Sequence, residues 1–320
     1  MSTLLTLNCT RSGCSKRPLL VTMLLGLAAG CAHQADSHSP DAPPVSVDWK
    51  AVDQAIGKPG AMQPGDVYKF GMPRSDLLVK VGDVQLKPTL ALGSWLAFKP
   101  MPHDTMVMGD LVLLEEEVNP VLTKLQEGGI EQTAMHNHVF SEQPRVVYMH
   151  VEGHGDAVKL AAVLRAGLGQ SKTPITPPSG DPPTALDLDT AQLDQILGAS
   201  GKNNGGVYQF SVPRTEKITM DGMEIPPSMG LGTALNFQPL GSGKAAITGD
   251  FVLAPGEVNP VIRTLREHNI MVTALHSHML TEEPRLFFMH FWAVDDALTL
   301  ARGLRDALEQ TKSVAKAEAK

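Results

Sequence analysis

The chain is poor in cysteine and in recognisable catalytic signatures. Its three cysteines are Cys9, Cys14 and Cys31, and none follows in the rest of the sequence. This distribution excludes a disulfide framework, a cysteine-ligated metal and a cysteine nucleophile beyond residue 31. The sequence also lacks a nucleophile elbow, a phosphate-binding loop and a dinucleotide-binding fingerprint. Any chemistry in the main body must therefore come from other side chains.

Positive charge and aromatic residues are scarce as well. The 27 Lys and Arg residues are outnumbered by 34 Asp and Glu, which gives a net charge of −7. With three Trp, three Tyr and no basic run, we expect no nucleic acid as a partner. The hydrophobic fraction of 42% and the charged fraction of 19% are typical of a globular protein. A chain of 320 residues is long enough for two domains.

Residues 1–31 resemble a lipoprotein-type signal peptide. Basic residues precede the apolar run 19–30, which has the length of a signal-peptide hydrophobic region and is too short to span a bilayer. Leu27-Ala28-Ala29-Gly30 then leads into Cys31 like a bacterial lipobox, with Leu one place earlier than usual. We expect lipidation at Cys31. The alternative is an ordinary secretory signal with an incidental cysteine.

A polar, Pro-rich tether follows at residues 32–46. Such a composition cannot bury a core and would hold a domain away from a membrane surface. We therefore expect an exported protein, lipid-anchored to the bacterial cell membrane or outer membrane, whose domains face the periplasm or the exterior. The membrane, through the lipid, would be its first partner.

The main body is a tandem repeat. Residues 47–169 (repeat 1) align with residues 188–311 (repeat 2), so that GDVYKFGMPR matches GGVYQFSVPR and GDLVLLEEEVNPVLTKL matches GDFVLAPGEVNPVIRTL. A linker rich in Pro, Ser and Thr joins them at residues 170–187, and a polar tail follows at 312–320. A repeat of this size indicates a duplicated domain rather than a solenoid unit.

The periodicity within each repeat predicts an α+β fold. Alternating apolar segments predict antiparallel strands, with a hairpin turn at Gly82-Asp83. Asn119-Pro120 is expected to open a helix that ends at Gly128-Gly129, and Asp156 to cap a second helix. The order of the second half is β-α-β-β-α. Each repeat is therefore predicted to be a mostly antiparallel sheet with two helices, partly ferredoxin-like.

Three histidines recur in each repeat and predict a site. Residues two apart on a strand project from the same face, so the two histidines of H-x-H converge. The third histidine, on the next strand, shares that face only in alternate registers, for example with His150 opposite His136. A register shifted by one residue would turn it away. The predicted metal ligands are His136, His138 and His150 (the first triad) and His276, His278 and His290 (the second triad).

Nearby charged residues could complete these sites. Glu117 and Glu257 are the predicted catalytic residues, as ligands or general bases. Further matched carboxylates are Asp110, Asp250, Glu142 and Glu282. Arg145 and Arg285 could bind a substrate carboxylate or phosphate, although an ordinary salt bridge is the alternative role for them.

Nitrogen and oxygen donors without sulfur suit several divalent transition metals. Zn is favoured; Fe, Mn, Ni and Cu also fit. Two readings without a metal stay open: a hydrogen-bonded structural network of histidines, and a ligand pocket that uses the same residues.

With the repeats aligned, the chain resembles the LppY/LpqO lipoprotein family, whose repeated domain has no known function. The resemblance implies a bacterial envelope lipoprotein with two similar domains, and it implies no reaction or substrate. The second copy departs from the pattern at Pro255-Gly256 and at Ser277. The residues that carry the resemblance are Cys31, Gly109-Asp110, Glu117-Val118-Asn119-Pro120, Ala134-Met135-His136-Asn137-His138, Pro144-Arg145 and Met149-His150, with their equivalents from Gly249-Asp250 to His290.

Two classes of function follow from these features. In the first, each repeat carries a metal-dependent site that acts at the envelope, with hydrolysis as the expected chemistry. In the second, the protein is a non-catalytic binding module that captures a small molecule, a metal ion or an envelope component.

Overall fold

The structure is a computed structural model that describes residues 43–176 and 185–313. The predicted signal peptide, Cys31, most of the tether, part of the linker and most of the tail lie outside the described residues. Both repeats belong to the same compact unit. Within the described residues, no helix is long and apolar enough to cross a bilayer.

Repeat 1 contains nine strands and four helices among its described residues. The helices are α1 (Trp49–Ile56), α2 (Pro88–Ala91), α3 (Glu115–Glu127) and α4 (Ala157–Leu168). The strands are β1 (Ala61–Gln63), β2 (Val67–Pro73), β3 (Lys80–Val81), β4 (Val84–Gln85), β5 (Gly93–Pro100), β6 (Thr105–Leu114), β7 (Glu131–His136), β8 (Glu142–Gln143) and β9 (Val146–Gly155).

Repeat 2 follows the same plan with small differences. Its helices are α5 (Thr190–Leu197), α6 (Val258–Glu267) and α7 (Ala297–Leu308), and a 3₁₀ turn at Pro227–Met229 stands where repeat 1 has α2. Its strands are β10 (Lys202–Asn204), β11 (Val207–Val212), β12 (Thr219–Met220), β13 (Met223–Glu224), β14 (Thr233–Gly241), β15 (Lys244–Leu253), β16 (Met271–His276) and β17 (Phe287–Asp296).

Each repeat forms a six-stranded antiparallel sheet, in the orders β1-β2-β5-β6-β9-β7 and β10-β11-β14-β15-β17-β16. The predicted α+β class with two tandem domains is confirmed. The ferredoxin-like part is β6-α3-β7-β9-α4, in which β9 lies between β6 and β7. The fourth strand of a ferredoxin sheet is replaced by β5, which pairs with the other side of β6.

The helices cover one face of each sheet, and the other face meets the opposite repeat. Strand β9 shows how alternation divides the two environments: Met149 and Val151 pack with the helices, whereas Tyr148 and Val146 pack in a cluster with repeat 2. Because both faces are covered, these strands are buried almost throughout. The molecule is thus layered as helices, sheet, sheet and helices.

Two segments cross from one repeat to the other. The first crossing segment, residues 75–92, packs its apolar residues with Val207, Ala246 and Trp292 of repeat 2. The second, residues 215–231, packs against inner-face residues of β5 and β6. The Gln238 side chain of repeat 2 reinforces the first contact, because its Oε1 accepts from the Lys87 amide and its Nε2 donates to the Gln85 carbonyl, both at 2.8 Å. Each crossing segment therefore covers part of the inner face of the opposite sheet.

Helix α3 begins earlier than the sequence predicts. It starts at Glu115, so Asn119-Pro120 lies inside the helix and Asn119 does not cap it. The Glu117 side chain instead accepts from the amide of Leu114 at 2.9 Å and satisfies a donor at the helix start. The expected cap at Asp156 is confirmed, since its carboxylate accepts from the Lys159 amide at 2.9 Å. The hairpin at Gly82 also forms, between β3 and β4.

Candidate metal centre

A β-bulge places the histidines of each repeat on one face. In β7, Gln132 lies opposite Val151, but the next pair is Ala134 opposite His150. The extra residue, Thr133, changes which face the rest of β7 presents, so that His136 and His150 project together. The same shift occurs between Val272 and Ala274, and Ala274 lies opposite His290. His150 is thus diagonal to His136 rather than opposite it, on the face that the metal hypothesis requires.

The strands end sooner than expected, at His136 and His276, and the second histidine of each H-x-H lies in the following loop. The loop of repeat 1 is anchored on the other repeat. The Thr273 hydroxyl donates to the His138 carbonyl, and Asn137 Nδ2 donates to the Thr273 carbonyl at 3.3 Å. These bonds stop β7 from pairing further and aim His138 towards repeat 2.

The two triads meet at one place. Their rings stack pairwise across the repeats, with centroids 3.6 Å apart for His136 and His276, 3.9 Å for His138 and His290, and 3.7 Å for His150 and His278. Tyr148 stacks on His138 at 3.3 Å, and Phe288 stacks on His278 at 3.5 Å. The structure therefore forms one six-histidine centre, rather than the two separate sites expected from the sequence.

All six Nε2 atoms of this centre are buried without a hydrogen-bond partner. In three of the rings the other nitrogen lies beside a backbone carbonyl: Asn137 O at 3.2 Å, Ser277 O at 3.3 Å and Gly249 O at 2.9 Å. A carbonyl can only accept, so it fixes the proton on Nδ1 and leaves the Nε2 lone pair free. That is the form in which histidine binds a metal.

Burial keeps these imidazoles neutral. It lowers the pKa of His136 to about 3 and that of His276 to about 4, with the neighbouring His276 adding to the shift of His136. The pKa values of the other four histidines also fall well below the ordinary value, for the same reason and because the rings face one another.

Two buried aspartates accompany the histidines. Asp110 Oδ2 is 3.8 Å from His150 Nε2, and Asp250 Oδ2 is 3.7 Å from His278 Nε2. Both separations exceed a direct hydrogen bond. Burial raises the pKa of Asp110 to about 8, and burial together with the nearby Asp110 raises that of Asp250 well above its usual value. These are the carboxyl groups of the centre.

The donor set fits a metal ion. One ligand nitrogen from each of four histidines lies within 4.8 Å of all the others, namely His136, His276, His278 and His290. Four nitrogens in tetrahedral coordination lie about 3.4 Å from one another when each bond is about 2.1 Å. Small side-chain rotations would close the remaining difference.

A cleft of about 840 Å³ leads to the centre. Four of the histidines line it together with both aspartates, whereas His136 and His276 do not line it and are partly exposed. The walls also carry Lys69, Trp95 and Lys202. A ligand of small-molecule size can therefore reach four of the histidines through this cleft.

The predicted catalytic glutamates lie elsewhere, and that assignment is corrected. Glu117 forms a buried ion pair with Arg74, at 2.7 Å, and also accepts from the Lys172 amide at 2.9 Å. Glu257 pairs with Arg214 at 2.6 Å. With their oxygens occupied by structural partners, neither carboxylate is free to act as ligand or base.

The two arginines were missed by the sequence reasoning, although a signal was present. Arg74 and Arg214 end the matched segments GDVYKFGMPR and GGVYQFSVPR, and each is followed two residues later by an acid. Arg74 bonds Asp76 at 2.9 Å, and Arg214 bonds Glu216 at 2.6 Å. These are buried cations with two carboxylates each, and they join the end of β2 to α3 and the end of β11 to the start of α6.

The predicted substrate-binding arginines are exposed and do not line the cleft described above. Arg285 donates to the Leu280 carbonyl at 3.1 Å and pairs with Glu282 at 3.3 Å. This matches the alternative role, an ordinary salt bridge that braces the turn. Glu282 in turn accepts from the Leu286 amide at 2.9 Å. We assign no substrate contact to Arg145 or Arg285.

A family described as "Domain of Unknown Function (DUF1259)" matches residues 50–170 and again residues 191–310. The chain belongs to the DUF1259 family. The match shows a tandem domain of unknown function, and no curated protein matches this DUF1259 chain.

Two solved structures resemble this DUF1259 protein over most of its length, with low agreement. The trimeric bacterial microcompartment shell protein PduB is 9% identical with a TM-score of 0.21, and the match covers 80% of this chain and 95% of that one. EtuB from Clostridium kluyveri is 8% identical with a TM-score of 0.18, covering 78% and 90%. At these scores the similarity supports no conclusion about function.

Proposed function

We propose that this DUF1259 protein binds a divalent transition-metal ion at one centre that both repeats build. The observation that carries the proposal is the set of six buried Nε2 atoms that converge without partners. A structural hydrogen-bond network would give these atoms donors, because an unsatisfied buried polar group costs about 1–3 kcal/mol. A metal ion satisfies several of them at once.

Zinc is our first choice of metal. Imidazole and carboxylate donors suit it, and the described centre offers no sulfur ligand. The four mutually close nitrogens would form the coordination set, and Asp110 and Asp250 would adjust its charge. Fe, Mn, Ni and Cu accept the same donors.

Metal content tests this proposal directly. The protein is purified without a histidine tag and its metals are measured by mass spectrometry. We expect stoichiometric metal in the wild type and less than about a tenth of it in the His136→Ala/His276→Ala variant. His154→Ala/His268→Ala is the matched control, because these rings pair with acidic side chains outside the centre. Circular dichroism checks folding. Equal metal in both variants would refute the centre.

Hydrolysis is a second candidate function, favoured by the cleft and by Asp110. A bound ion would supply an activated water, and the carboxyl of Asp110, which lies 3.8 Å from His150 Nε2 in the lining of the cleft, could accept or donate a proton beside it. We expect turnover of an ester or phosphoester panel by the metal-loaded protein. Loss of turnover in Asp110→Asn with metal retained would assign the proton to that carboxyl, whereas no turnover anywhere in the panel would favour the binding module.

The envelope location is also a proposal. It is supported by the lipobox-like Cys31 and by the resemblance to the LppY/LpqO family, both of which rest on the sequence. Cys31→Ala is expected to move the protein from the membrane fraction to the soluble fraction. An unchanged membrane fraction would point to a different mode of attachment.

A further inference from the structure

The cleft has two sides that start from the centre and differ in composition. The first side is a row of residues that lie opposite one another on successive strands, namely Gly71, Trp95, Asp110 and His150. On the second side the corresponding row is Ser211, Ala234, Asp250 and His290. The aspartate and histidine are the same in both rows, so the outer positions determine what each side can bind.

Lys69 lies on the first side without a carboxylate partner. Its Nζ donates to the Ser228 carbonyl at 3.0 Å and lies 4.2 Å from the centroid of the Trp95 ring. Among the described residues, no carboxylate oxygen forms an ion pair with it. Burial lowers the pKa of Lys69 to about 8, opposed by the charge of Asp110. A half-buried cation held in this way faces the cleft with donors to spare.

The same position on the second side carries no charge. Gln209 stands there, and its Nε2 is already used, donating to the Thr89 carbonyl at 2.6 Å. The first side also has open space beside two glycines. A Cβ added at Gly71 or at Gly93 would meet nothing within 4 Å, and both residues line the cleft.

We propose that the first side of the cleft binds the anionic group of a small molecule, a carboxylate or a phosphate, through Lys69, with the Trp95 ring as the apolar wall beside it. This inference rests on the proposed metal centre, because the same molecule would extend along the row to Asp110 and His150. A lysine is a point charge with three donors, so it fits either oxyanion.

The test uses the full-length metal-loaded protein and calorimetric titration with inorganic phosphate and, in a separate arm, with acetate. The substitution Lys69→Gln copies the residue of repeat 2. We expect it to weaken binding of the preferred anion by roughly ten- to a hundredfold, the usual effect of removing one charged hydrogen-bond donor. Lys202→Gln is the matched control, because this lysine also lines the cleft, on the strand next to Gln209, but it is exposed and lies outside the row that forms the first side. We expect less than a threefold change there.

The outcomes separate the two proposals. A wild-type protein without metal overturns the centre and this inference together. A metal-loaded protein that binds neither anion, or that binds them equally well with Gln at position 69, overturns this inference alone. Equal weakening in Lys202→Gln would also overturn it, since the cause would then be the general charge of the cleft. Binding of phosphate without acetate, or the reverse, identifies which oxyanion the site prefers.

Discussion

Repeats 1 and 2 share the residues that hold the fold together and differ in residues that line the cleft. Both keep the buried arginine–glutamate pair, the β-bulge before H-x-H and the aspartate beside the third histidine. On the walls, Lys69 and Trp95 of repeat 1 correspond to Gln209 and Ala234. The shared residues therefore serve packing and the centre, and the divergent ones give the two sides of the cleft different side chains at matched positions.

A second difference lies at the start of the helix after β6 or β15. Repeat 1 has Glu115 and Glu116 there and a helix of 13 residues, whereas repeat 2 has Pro255-Gly256 and a helix of 10 residues. The glutamate that follows is nevertheless in the same ion pair in both. The ion pair is therefore kept although the helix differs in length, and in both repeats the glutamate also accepts from a backbone amide three residues earlier.

The largest expected effect is on metal content and comes from replacing all three histidines of one triad by alanine. In the variant H276A/H278A/H290A we expect loss of essentially all bound metal, because repeat 1 alone supplies only one of the four mutually close nitrogens. H136A/H138A/H150A is the reciprocal variant. Metal analysis of both variants decides the matter: H136A/H138A/H150A removes one of the four mutually close nitrogens and H276A/H278A/H290A removes three. Retention of half the wild-type metal in each of the two variants would show two independent sites instead of a shared one.

The next largest effect is on stability and comes from breaking the buried ion pair between Arg74 and Glu117. Arg74→Ala leaves Glu117 buried without its cation, and we expect the free energy of unfolding to fall by about 3–5 kcal/mol. Arg214→Ala should behave alike. Urea unfolding measures both. Lys124→Ala is the control, since that exposed pair with Glu127 should contribute less than about 1 kcal/mol. A loss at Arg74 as small as the control would contradict the structural role given to Glu117.

The pH dependence of stability in the metal-free protein compares His136 of repeat 1 with His276 of repeat 2. The folded-state pKa is about 3 for His136 and about 4 for His276, below the ordinary 6.5. At a pH between the folded-state pKa and 6.5, each of these histidines is protonated in the unfolded chain and neutral in the folded chain. Stability therefore falls as the pH drops below 6.5, by roughly 1.4 kcal/mol per pH unit for each such histidine.

The buried aspartates act in the opposite direction. Asp110, with its pKa raised to about 8, keeps its proton in the folded state, so its contribution is lost as the pH rises towards 8. Because the histidines outnumber the aspartates, we expect greatest stability near pH 6.5 in urea titrations of protein treated with a chelator. Unchanged stability from pH 6.5 to 4.5 would mean that the rings are protonated when folded.

The smallest expected effect comes from making repeat 1 more like repeat 2 at one ring. Tyr148 donates its hydroxyl to the Ala91 carbonyl at 2.8 Å, whereas the corresponding residue is Phe288. Tyr148→Phe should lower the free energy of unfolding by about 1 kcal/mol and leave the metal content unchanged, since a ring still stacks on His138. Loss of metal in this variant would give the hydroxyl a role in the centre.

Local rules were enough to predict part of this architecture. The metal hypothesis required His150 to share a face with His136, which the structure shows, and a capping pattern predicted Asp156. These features depend on neighbours within one strand or one helical turn. The bulge at Thr133 is also local, but no residue type at this position predicts it from the sequence.

The remainder depends on contacts distant in sequence. The partner of Glu117 is Arg74, 43 residues earlier. The merging of the two triads depends on the packing of one sheet against the other, with Thr273 bonded to the loop of His138. No periodicity within a single repeat encodes either contact, and so the sequence alone suggested two sites and a catalytic Glu117.

The crossing segments have a consequence for how such a molecule could arise. Each inner face is covered by the opposite repeat, and His136 and His276 meet ring to ring. This is the arrangement of a symmetric homodimer whose subunits have been fused, with the histidine pair beside the former two-fold axis. In such an ancestor a single gene change at the axis would have altered both halves at once. Fusion freed the halves to diverge, and a lysine on one side could then be acquired without its mirror image.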